Sequence, residues 1–300
     1  MSSKDILELF IRENDYEVDI ETMLQVAFTK YKAERKKHSI YNSFDFIPQN
    51  LIKLYYSTDN NHSDFKDIMS NFKKKYIEQE SKLEGVHTEE EIDGLGVVYD
   101  YIRSDEWKNC PNIYIIFLIN LKLFSLTPYP EAGGKVRNAN CYLRDSNINT
   151  CPYNQIDLEI SKLYSNFEQL KNIGIELGKN IQVDNEERII EYINACLKLK
   201  CRLIEIHPFS DGNGRTMRAL TNLLFKLASL PPVYVRASER VKYLDAMHRA
   251  IVEQDYSAIN KFYYYKICDS ILELDVNKRI KKGIKTRTLK KENKPNNNNE

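Results

Sequence analysis

The scarcity of chain breakers constrains this sequence more than any other feature. Its 300 residues include only 10 Gly and 9 Pro. A many-stranded fold spends such residues at every turn, so their shortage favours long helices. The apolar spacing agrees. It is helical at Ile6, Leu7 and Phe10, and again at Phe65, Ile68, Met69, Phe72 and Tyr76. It recurs at Ile156, Ile160, Leu163, Phe167 and Leu170, and at Ile189, Ile190, Ile193, Leu197, Leu203 and Ile204. Helices are therefore predicted over about 4–13, 20–36, 64–84, 186–206 and 215–229. Asp64 is the expected cap of the third and Gly85 its stop, and Thr88-Glu89-Glu90-Glu91 opens the next segment as a capping box. One stretch breaks the pattern. Thr127-Pro128-Tyr129-Pro130 and Gly133-Gly134 end a helix, and the Asn- and Asp-rich residues around Cys141-Tyr142-Leu143 read as a β-hairpin or extended flap.

Composition narrows the function. Hydrophobic residues at 42% and charged residues at 29% fit a globular protein with a real core. The longest apolar run, Ile113 to Ile119, is too short to span a bilayer, and no apolar h-region follows Met1, so neither a membrane span nor a secretion signal is expected. The six cysteines are scattered without a CxxC pair and read as free thiols of a reducing compartment. The net charge of +1 hides an uneven spread: residues 277–300 hold nine Lys/Arg and two Glu. The rest of the chain is mildly acidic and does not read as a nucleic-acid binder, and the basic tail is expected to be disordered.

The chemistry concentrates in His207-Pro208-Phe209-Ser210-Asp211-Gly212-Asn213-Gly214-Arg215-Thr216-Met217-Arg218. A helix delivers His207 at its end. A two-glycine loop then lets the backbone approach a ligand closely, and a second helix opens with unpaired N–H groups and a positive dipole end. Arg215 and Arg218 fall three apart on one face of that helix. Two guanidinium forks above an anion nest suit a polyphosphate. Asp211 suits Mg²⁺ bridging phosphate oxygens, and His207, titrating near neutrality, suits a general base.

This string resembles the Fic family signature HPFx[D/E]GNGRxxR at all nine specified positions. Weaker likenesses flank it. Gly134-Lys135-Val136-Arg137 resembles the start of the family's flap, with Val136 where an aromatic is commoner. Pro231 to Val235 and Arg240 to Tyr243 resemble its closing segment. The resemblance implies transfer of AMP from ATP to a Tyr, Ser or Thr hydroxyl of a target protein. His207 would deprotonate the hydroxyl, and Asp211 would hold Mg²⁺. The backbone at Gly212, Asn213 and Gly214 would stabilise developing charge, and Arg215 and Arg218 would bind the β- and γ-phosphates. Phe209 would anchor the loop, and Tyr243 would line the nucleotide pocket. Gly214 matches the AMP-transferring pattern, whereas the related Doc-type toxins carry Lys there. The alternatives are phosphocholine or other nucleotidyl transfer, hydrolytic AMP removal, and a non-catalytic nucleotide-binding regulator.

Many Fic proteins carry an inhibitory helix of pattern [S/T]xxxE[G/N]. Glu84-Gly85 fits it, but Glu80 occupies the hydroxyl position and Ser81 is one place late. Glu84 also falls at a helix C-terminus, where the dipole disfavours a carboxylate unless a cation is near. The resemblance implies that this cation is Arg218. The expectation is an all-α fold: an N-terminal helical region over 1–60, a Fic-type domain over 64–275 with its inhibitory helix at 64–84 and a small β-hairpin flap, and a basic tail over 276–300. The expected compartment is the cytoplasm, or the cytosol of another cell into which the protein is delivered.

Overall fold

The computed structural model describes residues 63–143, 148–179, 186–267, 269–270 and 273–274. The helices expected at 4–13 and 20–36 and the tail over 276–300 lie outside the described residues. Two compact units divide the chain: Asn71–Ile267, and a second drawn from Met1–Ser70 and Cys268–Glu300. The functional site lies wholly in the first, which is mainly helical, as the shortage of breakers predicts.

Helix α1 runs Ser63–Glu84, α2 Glu89–Arg103 and α3 Ile115–Phe124. Helix α4 runs Ile156–Lys162, α5 Tyr164–Lys179, α6 Glu186–Ile206, α7 Asn213–Leu227 and α8 Arg240–Val252. A further helix covers 257–267. Among the described residues, the β structure is one antiparallel pair, β1 Tyr142–Leu143 with β2 Ile148–Asn149, in the stretch expected to form the flap.

Several expected boundaries shift. The helix begins at Ser63, which puts Asp64 inside its first turn rather than at the cap. Gly85 ends it with φ +68, the left-handed conformation that glycine adopts without strain. At α2, Thr88 is the cap residue by position, but its hydroxyl donates to the Glu91 side chain at 2.9 Å instead of capping the backbone. The apolar run from Ile156 to Leu170 is two helices, not one, parted at Leu163.

Helix α7 is the hub. Met217, Leu220, Leu223, Leu224 and Phe225 are all buried, and α7 packs against α2, α3, α5 and α6. Each such side chain contributes about 1.5–3 kcal/mol when removed from water. Polar ties fix the register of its neighbours. Tyr192 of α6 donates to the Leu224 carbonyl at 2.7 Å, and Asn222 pairs with both the N–H and the carbonyl of Val233. The N-terminus of α7 is therefore a rigid platform, and the end of α6 is delivered beside it.

Candidate functional site

Helix α6 stops at Ile206 and His207 follows with φ +52, a strained value for a residue with a side chain. The chain then turns through Pro208 to Gly212. Phe209 drops into the core against Phe117, with ring centroids 5.4 Å apart. Asn213 clasps the Phe209 backbone twice, accepting from its N–H at 3.0 Å and donating to its carbonyl at 2.7 Å. Phe209, expected to anchor the loop, and Asn213 thus spend their side chains on the loop itself. Gly212 takes φ +75 at the N-cap of α7, and a Cβ there would stand 2.8 Å from Leu123 Cδ2 and 2.9 Å from Asn120 Nδ2. A side chain there would meet both the strain of the left-handed φ and a clash that its neighbours would have to give way to.

Two residues hold this loop from outside: Asn120, which sequence reasoning missed, and Arg137, which it placed at the flap without this role. Asn120, buried in α3, donates to the Asp211 carbonyl at 3.1 Å and to Thr216 Oγ1 at 3.2 Å, and accepts from the Gly134 N–H at 2.8 Å. Arg137, buried at the start of the flap, donates to the His207 carbonyl at 2.7 Å and to the carbonyls of Ile206, Ala139 and Cys151. Its own N–H donates to the Pro208 carbonyl at 2.9 Å, beside an isolated bridge between Val136 and Phe209. The flap is thereby stitched to the His207 loop.

The first turn of α7 leaves its N–H groups without intrahelical acceptors, and they cluster at Gly214. A Cβ on Gly214 would stand 2.7 Å from Glu84 Oε1 and 3.0 Å from Arg218 Nη1. The space that glycine leaves open is thus where the Glu84 carboxylate sits. Arg215 and Arg218 are both 4% exposed, so neither lies on a solvated face. Arg218 Nη2 donates to Glu84 Oε1 at 2.6 Å, and its Nε to Glu80 Oε2 at 2.7 Å. Arg215 donates to Asp211 Oδ2 at 3.0 Å and to Glu91 Oε1 at 3.3 Å. Asp211 itself is 68% exposed, and its Oδ1 accepts from the Gly212 N–H.

A pocket of about 170 Å³ opens beside these groups. His207, Gly214, Arg218, Glu84 and Tyr243 line it together with the apolar side chains of Leu143, Ile148, Ile204, Leu244 and Met247, so polar and charged groups share one pocket with a largely apolar wall. Tyr243 is held from behind by Lys200, a fully buried amine that donates to its hydroxyl at 2.6 Å. Nothing in the sequence pattern marks Lys200, which sits in an amphipathic helix like any other residue.

The electrostatics follow from burial and neighbours. Burial, helped by the Arg137 charge, holds the His207 imidazole below its ordinary pKa, while Asp211 and Glu84 pull the other way. Burial drives the Glu84 carboxyl up, but Arg218, Arg215 and Arg240 outweigh it and leave it below the usual range. For Glu80 burial wins, and its carboxyl is raised. Among the described residues no group of three or more His, Cys, Asp or Glu gathers as a metal cage. Asp211, the carboxylate expected to hold Mg²⁺, is exposed, pairs with Arg215 and is not among the residues lining the pocket; a single carboxylate fits Mg²⁺ only alongside phosphate and water oxygens.

One pocket thus gathers His207, the first turn of α7 at Gly214 and Arg218, while Arg215 lies outside its lining. Residues 116–225 match the Fic/DOC family model. The sequence is similar to the protein adenylyltransferase Fic of Aedes aegypti, 51% identical over 49 residues, which is 16% of this chain and 10% of that protein. It is also similar to the protein adenylyltransferase fic-1 of Caenorhabditis elegans, 36% identical over 83 residues, covering 28% and 15%. Each match thus takes in a small part of these relatives' length. The fold is similar to that of a Fic-domain-containing signaling protein from Bacteroides thetaiotaomicron, with a TM-score of 0.58 at 16% identity over 77% of this chain and 95% of that one. Fic-1 from C. elegans gives 0.55 at 16% identity over 95% and 83%. Residues 116–225 thus match the Fic/DOC family model, and the all-α fold with a short β pair is similar to that of solved Fic-domain proteins.

Proposed function

We propose that this protein is a protein adenylyltransferase that moves AMP from ATP to a Tyr, Ser or Thr hydroxyl of a target protein, and that Glu84 holds it in check. One observation carries the reading: His207, the first turn of α7 at Gly214 and the Arg218 guanidinium line a single pocket together with apolar side chains. In this reading the adenine lies against the apolar residues of the pocket and the triphosphate over the α7 amides, with Arg215 and Arg218 on its outer phosphates. His207, kept neutral by burial, takes the proton of the target hydroxyl. The hydroxyl oxygen bonds to the α-phosphorus, the α–β phosphoanhydride bond breaks, and pyrophosphate leaves. Amides around Gly212, Asn213 and Gly214 face the charge that develops. Asp211 is the residue to hold Mg²⁺, which would neutralise phosphate charge. The flap, tied to the His207 loop through Arg137, is placed to align the target as an added strand.

The brake is read from the same geometry. Glu84 Oε1 fills the space above Gly214 and takes an Arg218 nitrogen, so it competes with a phosphate for both. The domain is taken to run over 64–275, with α1 as the inhibitory helix. Among the described residues no helix is long and apolar enough to cross a membrane. The proposed setting is the cytosol, either the cell's own or that of a cell into which the protein is delivered. The test is incubation of the full chain with ATP, Mg²⁺ and a lysate, read by intact mass. Addition of AMP to a protein supports the reading. Addition of phosphocholine from a suitable donor points to a different transferase, and ATP binding with no product in any variant points to a regulator.

A further inference from the structure

Arg218 is gripped on two edges, and the two carboxylates that grip it occupy different surroundings. Glu84, the last residue of α1, lines the pocket and keeps 33% of its side-chain exposure. Glu80 lies one turn earlier, is fully buried, and reaches Arg218 through the core. Its Oε2 accepts from Nε at 2.7 Å, while Oε1 finds no hydrogen-bond partner among the described residues. The opposite edge of the guanidinium faces the pocket: Nη2 meets Glu84, and Nη1 lies 3.0 Å from where a Gly214 Cβ would stand.

We propose that Glu80 is the positioning residue of the phosphate-binding arginine. It fixes the Nε edge of Arg218 from inside the core, so that both terminal nitrogens are presented to the pocket whether Glu84 or a phosphate oxygen occupies it. The proposal rests on the reading of this pocket as an ATP site. An arginine side chain is long and rotamer-rich, and ordering it at binding costs affinity. A guanidinium already held on one edge has lost that freedom, and its remaining fork matches a phosphate. The charge argument points the same way. Arg218 is buried, and a buried cation needs a partner. Were Glu84 its sole counter-ion, displacing Glu84 would strand Arg218 until the phosphate arrived. With Glu80 in place, Arg218 stays paired throughout, and Glu84 can be exchanged for a ligand. The inhibitory pattern that this segment resembles has an uncharged hydroxyl at position 80, so the carboxylate is this chain's own departure.

The test compares ATP with AMP, which lacks the outer phosphates that Arg218 would hold. Binding of each, with Mg²⁺, is measured by calorimetry on full-length Glu84→Gly protein with and without Glu80→Gln, which keeps the shape and removes the charge. The expected result is that Glu80→Gln weakens ATP by about tenfold, the scale of one charge-assisted bond, and leaves AMP unchanged. Should that variant fail to fold, Glu80→Ser carries the same comparison. Equal loss for both ligands, or no loss for either, overturns the role of Glu80. A Glu84→Gly protein that binds ATP no more tightly than AMP overturns the pocket reading itself, and so separates the two failures.

Discussion

Replacing Glu84 with glycine removes one carboxylate from Arg218 and clears the space above Gly214. The lost contact is a charge-assisted hydrogen bond of 2.6 Å, a class worth about 1.5–3 kcal/mol. A third of the Glu84 side chain is exposed, which screens the charge and favours the lower end, about 1.5–2 kcal/mol. On the proposed reading that energy opposes ATP, and its removal corresponds to roughly a 10- to 30-fold gain in ATP affinity. Folding should survive the change, because Glu80 still neutralises Arg218. The assays are calorimetric titration with ATP and Mg²⁺ and AMP incorporation by intact mass. Self-modification is expected to rise with the affinity. Equal affinity and equal labelling in wild type and Glu84→Gly would refute the competition. The pH dependence has a defined sign. The Glu84 carboxyl lies below its ordinary range, so its ion pair is present above that range and is lost only as pH falls through the lowered value. Mild acidification to about pH 5 is therefore expected to leave the brake engaged.

Four further outcomes follow from the same geometry. His207→Ala should abolish transfer while ATP binding persists, and undiminished labelling would remove His207 as the base. Because burial and Arg137 depress the His207 pKa, the imidazole stays neutral through its ordinary value, and the acid limb of the pH–rate profile should fall below about 6.5; a limb above it contradicts the assignment. Gly212→Ala forces a left-handed φ and a clash with Leu123 and Asn120, at a cost of about 1–3 kcal/mol, which a thermal melt reads as a drop of several degrees. Arg137→Met removes the ties between the flap and the His207 loop, so amides of 148–151 should exchange faster and the maximal transfer rate should fall; unchanged exchange would show that the flap is held by other contacts.

What the sequence revealed was what lies close along the chain. The loop from His207 to Gly214 and the helix that follows are local, and their glycines, cap and arginines could be read where they stand. The boundary at Gly85 was legible for the same reason. Glu84 was reached only through a pattern, and its partner is 134 residues away. Contacts at such separations leave no periodicity to detect. Glu80 looked like a misplaced hydroxyl position, Asn120 like a polar residue in an apolar run, and Lys200 like an ordinary helix position. Each acquires its role only when α1, α3 and α6 converge on α7. Burial was also invisible: three-residue spacing puts Arg215 and Arg218 on one face but does not say that both are enclosed. The break at Leu163 escaped notice because a one-residue kink barely disturbs helical spacing.

The most direct test is a crystal structure of the Glu84→Gly protein with a non-hydrolysable ATP analogue and Mg²⁺. The expected density places the triphosphate over the first-turn amides of α7 at Gly214, with both terminal nitrogens of Arg218 on an outer phosphate and the α-phosphorus facing His207. A nucleotide bound elsewhere, or loop amides turned away from the phosphates, would contradict the proposed function at its root.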